Sequence, residues 1–394
     1  MTVPTSATGL VSPFARLNDL LAGIAPGRTP INLGLGEPQH PMPDFVGPTI
    51  ADHVAEFARY PLIRGTDAFR AAVAAWLGRR YGLGDAIDAE RMVLPLNGSR
   101  EGLFLAALGA RERSPAIERP AMLLPNPFYQ AYAAGAQAAG AEILLYEPPE
   151  GGALPDLSVY DAATLARLIA VYVASPSIPQ GGVATLDAWR SLVESARRFD
   201  FMIFADECYS EIYRAAPPPG VLEAADALGE GYANVLAFHS LSKRSNLPGL
   251  RCGFAAGDPG FIGGWTRLRN TAAPQVPTPI QAVAVAAYAD EAHVAANRSL
   301  YNEKYALAET ILGPRLGSGV PQGGFFLWLG VQDGEKAALR LWREGGVRTI
   351  PGAYLCLPDA AGRNPGERFL RVAMVQDIEL TGEALTRMAA LLDR

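Results

Sequence analysis

The sequence predicts an α/β fold in which a mostly parallel sheet is sandwiched by helices and followed by a smaller α+β C-terminal domain. Two observations lead to this prediction. Between residues 46 and 280, short apolar runs alternate with amphipathic helical stretches, as in βαβ units whose sheet is covered on both faces. After the proline-rich segment 274–279, a long helical stretch is followed by isolated strands and helices. The 394 residues can therefore bury one large core and a second, smaller one.

Residues 1–45 are expected to form an N-terminal arm that packs with the small domain. Within the arm, Pro13–Leu21 has helical periodicity, and the Pro26-Gly27 pair ends that pattern. The run from Ile31 to Pro38 is expected to be a short extended piece that ends in turn residues.

The large domain is expected to span residues 46–280. Apolar runs typical of buried strands occur at Met92–Leu96, Ala121–Leu124, Leu168–Ala174, Phe201–Ala205 and Val235–His239. Helices are predicted between them at Ala68–Tyr81, Ala133–Gly140 and Leu186–Phe199.

The small domain is expected to span residues 281–394. A helical pattern runs from about Ile280 to Leu312 and is predicted to be one long helix. Further elements are two strands, at Gly324–Leu329 and Phe369–Val375, and two helices, at Glu335–Glu344 and Gly382–Leu392.

Composition narrows the functional class. The net charge of −6 argues against a nucleic-acid partner, because phosphate contacts need a basic face. We find no apolar run near the roughly 18 residues that a bilayer span requires. Residues 1–12 have no basic residue and no apolar core followed by a cleavage site, so they are not expected to act as a leader. Three scattered cysteines and four histidines without ligand spacing argue against disulfides and a metal site. A cytoplasmic enzyme without a metal, a membrane or a nucleic acid is expected.

Lysine usage is the sharpest feature of the composition. Of the 34 basic residues only Lys243, Lys304 and Lys336 are lysines. Arginine stays charged, whereas lysine can lose its proton and form a Schiff base, so each lysine is a candidate for amine chemistry. Lys304 and Lys336 are predicted to lie on polar helix faces, which leaves Lys243.

Ligands of open α/β sheets bind outside the carboxyl ends of the strands, and polar residues follow three of the predicted strands. Gly98, Ser99 and Arg100 follow the first, where free amides at a helix N-terminus would suit a phosphate; an ordinary βα loop is the alternative. Asp206 follows the fourth and could meet a cation or a protonated ring nitrogen, or simply cap a helix.

Past the fifth strand, Ser240 and Lys243 are followed by Arg251, which together indicate an anion site beside an amine. The chain has no Gly-Lys pair, no serine flanked by glycines at −2 and +2, and no Gly-x-Gly-x-x-Gly. Lysine chemistry combined with a phosphate remains, and it points to a carbonyl cofactor.

At these residues the chain resembles the class I/II aminotransferases, which are pyridoxal-phosphate enzymes of fold type I with a seven-stranded large-domain sheet. The segment 240–251 resembles the family's Schiff-base segment, which implies that Lys243 binds the cofactor and acts in catalysis with Asp206 and Tyr209. By the same resemblance, Asp206 would pair with the pyridine nitrogen and Tyr209 with the ring hydroxyl. The implied phosphate ligands are Gly98, Ser99, Arg100, Ser240 and Arg251.

Four further matches extend the resemblance. Tyr129 corresponds to the aromatic residue that stacks on the cofactor, Arg371 to the arginine that grips the substrate α-carboxylate, and Gly36 to the glycine that lines the same pocket. Tyr60 corresponds to the tyrosine that reaches the neighbouring subunit's phosphate, which implies a homodimer with shared active sites. Amino acids and keto acids are the implied substrates.

Within the family, the segments that begin at Asn97, Asn126 and Ser240 most resemble the succinyldiaminopimelate aminotransferases. That group exchanges an amino group between glutamate and N-succinyl-2-amino-6-ketopimelate in lysine biosynthesis. One departure is Ile178, where the family has an asparagine that donates to the cofactor ring oxygen. A β-elimination lyase on the same scaffold, or a pyridoxal-phosphate-binding protein that has lost catalysis, remain alternatives.

Overall fold

The structure is a computed structural model that describes residues 11–317, 319–359 and 361–392; the first ten residues of the expected arm lie outside the described part. The helices are α1 Pro13–Leu21, α2 Val46–His53, α3 Asp67–Tyr81, α4 Ala89–Met92, α5 Ser99–Arg113, α6 Gln130–Ala138, α7 Ala162–Leu165, α8 Leu186–Phe199, α9 Val221–Ala227, α10 Leu241–Arg244, α11 Pro259–Ala272, α12 Thr278–Ala289, α13 Ala292–Leu312, α14 Gly334–Gly345 and α15 Ile378–Leu391. The strands are β1 Ile31–Asn32, β2 Val93–Leu96, β3 Ala121–Pro125, β4 Glu142–Tyr146, β5 Leu168–Ala174, β6 Met202–Asp206, β7 Val235–Ser240, β8 Gly253–Gly257, β9 Phe326–Gly330, β10 Val347–Arg348, β11 Ile350–Pro351 and β12 Phe369–Ala373.

The central sheet has seven strands in the order β2-β8-β7-β6-β5-β3-β4. Only β8 runs antiparallel to its neighbours, so the prediction of a mostly parallel sheet between helices is confirmed. Strands β2, β3, β5, β6, β7 and β8 are buried along their whole length, with one apolar core on each face of the sheet. The five strands predicted from apolar runs are all present.

Two strands of this sheet are not predicted by the sequence. Strand β8 reads Gly-Phe-Ala-Ala-Gly, which gives no β-branched or alternating signal. A side chain at Gly253 would meet the His239 carbonyl oxygen at 2.3 Å, so close strand packing explains this glycine. Strand β4 lies at the sheet edge and is only half-buried, with a mixed pattern.

The carboxyl ends of β2, β6 and β7 lie at one edge of the sheet, and the antiparallel β8 begins at the same edge. The residues that follow β2, β6 and β7, and the loop that precedes β8, are therefore brought together. This arrangement positions the candidate site, as expected for an open α/β sheet.

Local sequence sets the ends of the main helices. Thr66 caps α3 by accepting from the Phe69 amide at 3.1 Å, and Thr185 caps α8 by accepting from Ala188 at 3.2 Å. Helix α3 ends at Gly82, whose φ of 67° is in the left-handed region that terminates helices.

A second sheet is antiparallel, in the order β11-β12-β9. Strand β1 pairs in parallel with β10, placing Ile31 opposite Val347, so the described part of the arm is hydrogen-bonded to the C-terminal part of the chain. Helices α13, α14 and α15 surround a core around these strands.

The prediction of one helix from Ile280 to Leu312 is wrong, because the helix is interrupted at residues 290–291, between α12 and α13. Asp290 is extended at the end of α12, and its carboxylate accepts from the Ala292 amide at 2.7 Å, which starts α13. The expected domain division at 280/281 falls within the first turn of α12, which packs on α2 and α3.

The position predicted for Lys304 is also wrong. Its side chain is buried, with 1% of the residue exposed, rather than on a polar helix face. Helix α15 begins four residues before the predicted Gly382, because Asp377 caps it by accepting from the Leu380 amide at 2.7 Å. Lys336 does lie at the surface, where it pairs with Asp333 at 3.0 Å.

Candidate active site

A cavity of about 630 Å³ opens at the carboxyl edge of the central sheet. Its lining comes mainly from the arm, from the residues after β2, β3, β5, β6 and β7, and from β12. The predicted site residues that line it are Gly36, Ser99, Arg100, Tyr129, Asp206, Tyr209, Ser240, Lys243, Arg251 and Arg371. Residues that lie hundreds of positions apart in the sequence are thus brought into one cavity.

Lys243 lies in the short helix α10, whose N-cap Ser240 accepts from the Ser242 amide at 3.2 Å. Its Nζ donates to the Gly36 carbonyl oxygen at 2.6 Å. The pKa of Lys243 is lowered to about 8, mainly by burial and also by the charges of Arg371 and Arg251, against the raising effects of Cys208 and Glu37. A readily deprotonated amine therefore faces the cavity.

Asp206 ends strand β6 and is 8% exposed. Its Oδ2 accepts from the Tyr132 hydroxyl at 2.6 Å, and its Oδ1 accepts from the Cys208 amide at 3.2 Å. Burial and the neighbouring carboxylate hold the pKa of Tyr132 well above its usual range, so this hydroxyl stays a donor. Sequence reasoning misses Tyr132, although it lies in the aromatic-rich segment that begins at Asn126.

The N-terminus of α5 forms an anion cradle with Arg251. Gly98 precedes the helix with a φ of 79°, and a Cβ there would lie 2.1 Å from Arg251 Nη2. Arg251 is held by donating to the Pro248 carbonyl at 2.9 Å and the Asn97 carbonyl at 3.3 Å. Free amides at a helix N-terminus together with a guanidinium suit a phosphate group.

Tyr129 lies at the start of α6 with its ring in the cavity wall. Its hydroxyl accepts from Arg100 Nε at 2.5 Å, which fixes the arginine at the cavity surface. Of the other arginines that could meet an anionic substrate end, Arg16 lies over the Tyr354 ring at 3.8 Å and Arg64 pairs with Glu90 at 3.4 Å. Neither of these two lines the cavity.

Arg371 projects from β12 into the same cavity. Its Nη2 donates to the Gly34 carbonyl at 2.6 Å, whereas its buried Nε has no hydrogen-bond partner. Burial lowers the pKa of Arg371 to about 10, which records the cost of a buried charge without an acid beside it. A carboxylate ligand would supply the missing partner.

Gly36 allows the arm to lie close to the Phe326 ring, beside Arg371. A Cβ at Gly36 would lie 2.7 Å from the Phe326 ring, so a larger residue would push the arm away. The Phe326 ring also lies 4.7 Å below the Arg371 guanidinium.

Tyr209 and Ile178 lie side by side in an apolar wall. The Tyr209 ring contacts Phe325 at 5.1 Å between centroids, and Ile178 packs on the same cluster. Burial raises the pKa of Tyr209 well above its usual range, so its hydroxyl is a neutral donor. Ile178 contributes no polar atom to the cavity, as its side chain dictates, so the departure from the family's asparagine leaves an apolar surface.

Two predicted site residues are not in the cavity lining: Gly98, which lies behind Arg251 in the cradle, and Tyr60, which is 97% exposed. No group of three or more metal-ligating side chains occurs in the described ranges. Within the same ranges, none of the helices has the length and apolar character needed to cross a bilayer.

An amine, a buried acid and an anion cradle in one cavity define an enzyme that uses a carbonyl cofactor bearing a phosphate. The donor set fits pyridoxal phosphate: Lys243 for the carbonyl, Asp206 for the ring nitrogen, and Arg251 with the α5 amides for the phosphate. Arg371, which lines the cavity and has no acid partner among the described residues, adds a place for a substrate carboxylate.

Comparison with known proteins agrees with this class. Residues 28–388 match the model of the family described as aminotransferase class I and II. The chain therefore belongs to the class I/II aminotransferases, and it is a pyridoxal-phosphate-dependent transaminase.

Similar proteins support the same assignment. An LL-diaminopimelate aminotransferase of Desulforudis audaxviator is 32% identical over 97% of this chain and 95% of its own length. The 4-dedimethylamino-4-oxo-anhydrotetracycline transaminase OxyQ of Streptomyces rimosus is 32% identical over 91% and 92%. Among solved structures, an aminotransferase from Neisseria meningitidis has a TM-score of 0.91 and 36% identity, covering 97% of this chain and 98% of that one.

Proposed function

We propose that this aminotransferase moves an amino group between glutamate and N-succinyl-2-amino-6-ketopimelate, in lysine biosynthesis and in the cytoplasm. The observation that carries the proposal is Arg371, a buried guanidinium that faces the same cavity as Lys243 and lacks an acid partner among the described residues. Both proposed substrates have an α-carboxylate that can bind there.

A second arginine in the cavity lining favours an acceptor with a second anionic group. Arg100, which the family resemblance gives as a ligand of the cofactor phosphate, is held by Tyr129, and we propose that its guanidinium meets a distal carboxylate instead. The relatives named as LL-diaminopimelate aminotransferases act, by their names, on a closely related diamino acid. A Thermus thermophilus structure described as a probable N-succinyldiaminopimelate aminotransferase is 25% identical, with a TM-score of 0.82.

Each proposed role follows from where a side chain is held. Pyridoxal phosphate, when bound, supplies the carbonyl that accepts the amino group and the ring that delocalises the electrons of the α-carbon. The neutral Lys243 amine then takes the proton from the substrate α-carbon, which its low pKa permits near neutral pH. Asp206 would hold a proton at the ring nitrogen of the bound cofactor, and Tyr132 fixes the orientation of that carboxylate.

Arg371 orients the substrate by a bidentate contact with its α-carboxylate. The Gly34 carbonyl accepts from Nη2, and no acid among the described residues pairs with the guanidinium, so the part of it that lines the cavity is available to the substrate. Fixing the carboxylate orients the bond from the α-carbon to hydrogen toward Lys243, so that binding energy reduces the entropic part of the barrier.

A homodimer with shared active sites is part of the proposal. Tyr60 does not line the cavity of its own subunit, and it is exposed. Four other large apolar residues between positions 42 and 62 are also exposed: Met42, Val54, Phe57 and Leu62, at 59%, 60%, 52% and 75%. Several exposed apolar residues in one segment are consistent with an interface, and a second copy would bring its Tyr60 to this subunit's phosphate cradle.

The test is an absorbance titration of the purified protein with pyridoxal phosphate, followed by glutamate and then by candidate acceptors. Glutamate should convert the bound cofactor to pyridoxamine phosphate, and N-succinyl-2-amino-6-ketopimelate should reverse the conversion. If the keto acid without the succinyl group reverses the conversion and the succinylated one does not, the succinyl assignment is refuted. Release of pyruvate and ammonia from β-substituted amino acids, without conversion by glutamate, would favour the lyase instead.

Two variants extend the test. Lys243→Ala tests whether this lysine is required for transamination, and Arg100→Gln tests whether this arginine binds the distal carboxylate of the acceptor. Lys243→Ala should abolish turnover with every substrate. Arg100→Gln should raise KM for the succinylated acceptor about tenfold, the typical effect of losing one hydrogen bond to a charged group, and leave KM for glutamate within about twofold. An equal change for both substrates would show that Arg100 acts on the cofactor and not on the distal carboxylate.

A further inference from the structure

Lys304 is buried in α13, outside the cavity, and the chemistry proposed above does not use it. Its Nζ lies 2.6 Å from His40 Nε2 and donates to the Met374 carbonyl at 3.1 Å. Burying a lysine is unfavourable unless its N–H groups have hydrogen-bond acceptors, and here the acceptors are in the arm and directly after β12. We infer that the Lys304 side chain holds these two segments together.

The hydrogen bonds continue from Lys304 to the main chain of Lys243. His40 Nδ1 lies 2.7 Å from Asn297 Oδ1, and Asn297 Nδ2 donates to the Lys243 carbonyl at 3.3 Å. Because the Asn297 amide nitrogen is the donor to Lys243, its oxygen must accept, which places the proton of His40 on Nδ1. His40 Nε2 is then the acceptor for Lys304. All three hydrogen bonds therefore run in the same direction, from Lys304 through His40 and Asn297 to the Lys243 carbonyl.

The same three side chains fix the part of the arm that contacts the active site. His40 follows the segment 33–38, in which the Gly34 carbonyl accepts from Arg371 and the Gly36 carbonyl accepts from Lys243. Met374 comes directly after β12, the strand that carries Arg371. One end of the network therefore holds the arm and the carboxylate-binding strand, and the other end holds the Lys243 segment.

We propose that Lys304, His40 and Asn297 form a positioning latch that holds the arm against Lys243 and Arg371 and thereby sets the affinity for the substrate α-carboxylate. The proposal rests on the roles proposed above for Lys243 and Arg371. The three latch residues do not touch the cavity, so they act through the carbonyls of Gly34 and Gly36.

The charges around the latch require His40 to be neutral. Burial and the Lys304 charge lower the pKa of His40, against the effect of its hydrogen bond to Asn297, and burial lowers the pKa of Lys304 to about 8. The charge of Asp377 favours the lysine cation, and the Tyr301 ring packs on His40 with centroids 4.5 Å apart. A proton on His40 Nε2 would remove the acceptor and face the lysine cation, so acidification should open the latch.

The test compares Lys304→Met with Lys336→Met, the matched replacement of the exposed lysine in α14. Lys304→Met fills the same volume but leaves His40 and Met374 without their donor. It should raise KM for glutamate about tenfold while kcat changes less than about threefold, since tenfold is the lower end of what losing hydrogen bonds from a charged group costs. Lys336→Met should leave both constants unchanged.

Asn297→Ala cuts the same network at its other end and should raise KM in the same direction. The double variant should be no worse than the poorer single variant, because the three side chains act as one unit. Hydrogen exchange of the amides in residues 33–40 should quicken in both single variants at constant pH. In the wild type, the protection of the same amides relative to the intrinsic exchange rate at each pH should fall on acidification, as His40 gains a proton. Neither readout depends on turnover.

A folded Lys304→Met enzyme with wild-type KM and wild-type exchange in the arm would overturn the latch. So would a loss of thermal stability alone, with KM and kcat unchanged, since that result would make Lys304 a purely structural residue. If Lys304→Met does not fold, a wild-type KM in Asn297→Ala would overturn it equally. If the wild-type protein fails to transaminate glutamate, the proposed function fails, and the exchange of residues 33–40 still decides the latch.

Discussion

Replacing Gly98 by alanine should damage cofactor binding through a residue that is distant in the sequence. Gly98 precedes α5 with a φ of 79° and a ψ of 157°, a conformation that is essentially restricted to glycine. The new Cβ would lie 2.1 Å from Arg251 Nη2. Because a guanidinium ends a flexible side chain, Arg251 would move away from the cradle, and the main chain would stay largely in place.

The size of the effect follows in two parts. Backbone strain at this position should lower the free energy of unfolding by about 1–3 kcal/mol. Displacing Arg251 should remove one charge-assisted contact with the cofactor phosphate, about 1.5–3 kcal/mol, which is roughly a 10- to 150-fold increase in Kd.

The assay is a titration of the cofactor-free variant with pyridoxal phosphate, followed by absorbance, beside thermal unfolding. Gly140→Ala is the matched control, because Gly140 has a φ of 65° and a Cβ at that position would meet no other atom within 4 Å. That variant should lose some stability and keep its Kd. If Gly98→Ala binds the cofactor as tightly as the wild type while Arg251→Met binds it weakly, the argument from Gly98 to Arg251 is refuted.

Three further predictions concern the amine, the acid and the dimer. Since the neutral amine is the nucleophile and the pKa of Lys243 is about 8, capture of pyridoxal phosphate by the cofactor-free protein should speed up as the pH rises and level off above about 8; a midpoint near that of an ordinary lysine, about 10.4, would contradict this. Tyr132→Phe should lower kcat about tenfold with little change in KM or folding, because Asp206 loses the donor at 2.6 Å that orients it; an unchanged kcat would exclude that role. Mixing inactive Lys243→Ala subunits with Tyr60→Phe subunits should regain activity above that of Tyr60→Phe alone, since one of the two shared sites is then wild type; no gain in verified mixed dimers would argue against sharing.

Much of the fold could be predicted because its signals are local. The buried strands β2, β3, β5, β6 and β7 are continuous apolar runs, and helices α1 and α8 have the predicted bounds. The sequence has no glycine-rich nucleotide-binding motif and only three lysines, so Lys243 stands out without any tertiary information. Residue chemistry and short-range periodicity depend only on residues that are close in the sequence, so the sequence alone reveals them.

Tertiary structure decided what depends on pairs of distant residues. Strand β8 has no local strand signal, yet its antiparallel insertion brings Arg251 to Gly98, and Tyr132 meets Asp206 across 74 positions. Lys304 follows a polar pattern in its own helix, but it is buried because His40, 264 positions earlier in the chain, supplies an acceptor. The sequence by itself thus determined the elements and the reactive amine, whereas only the folded chain determined the partners that fix their geometry, because a contact between distant segments leaves no periodic trace in either one.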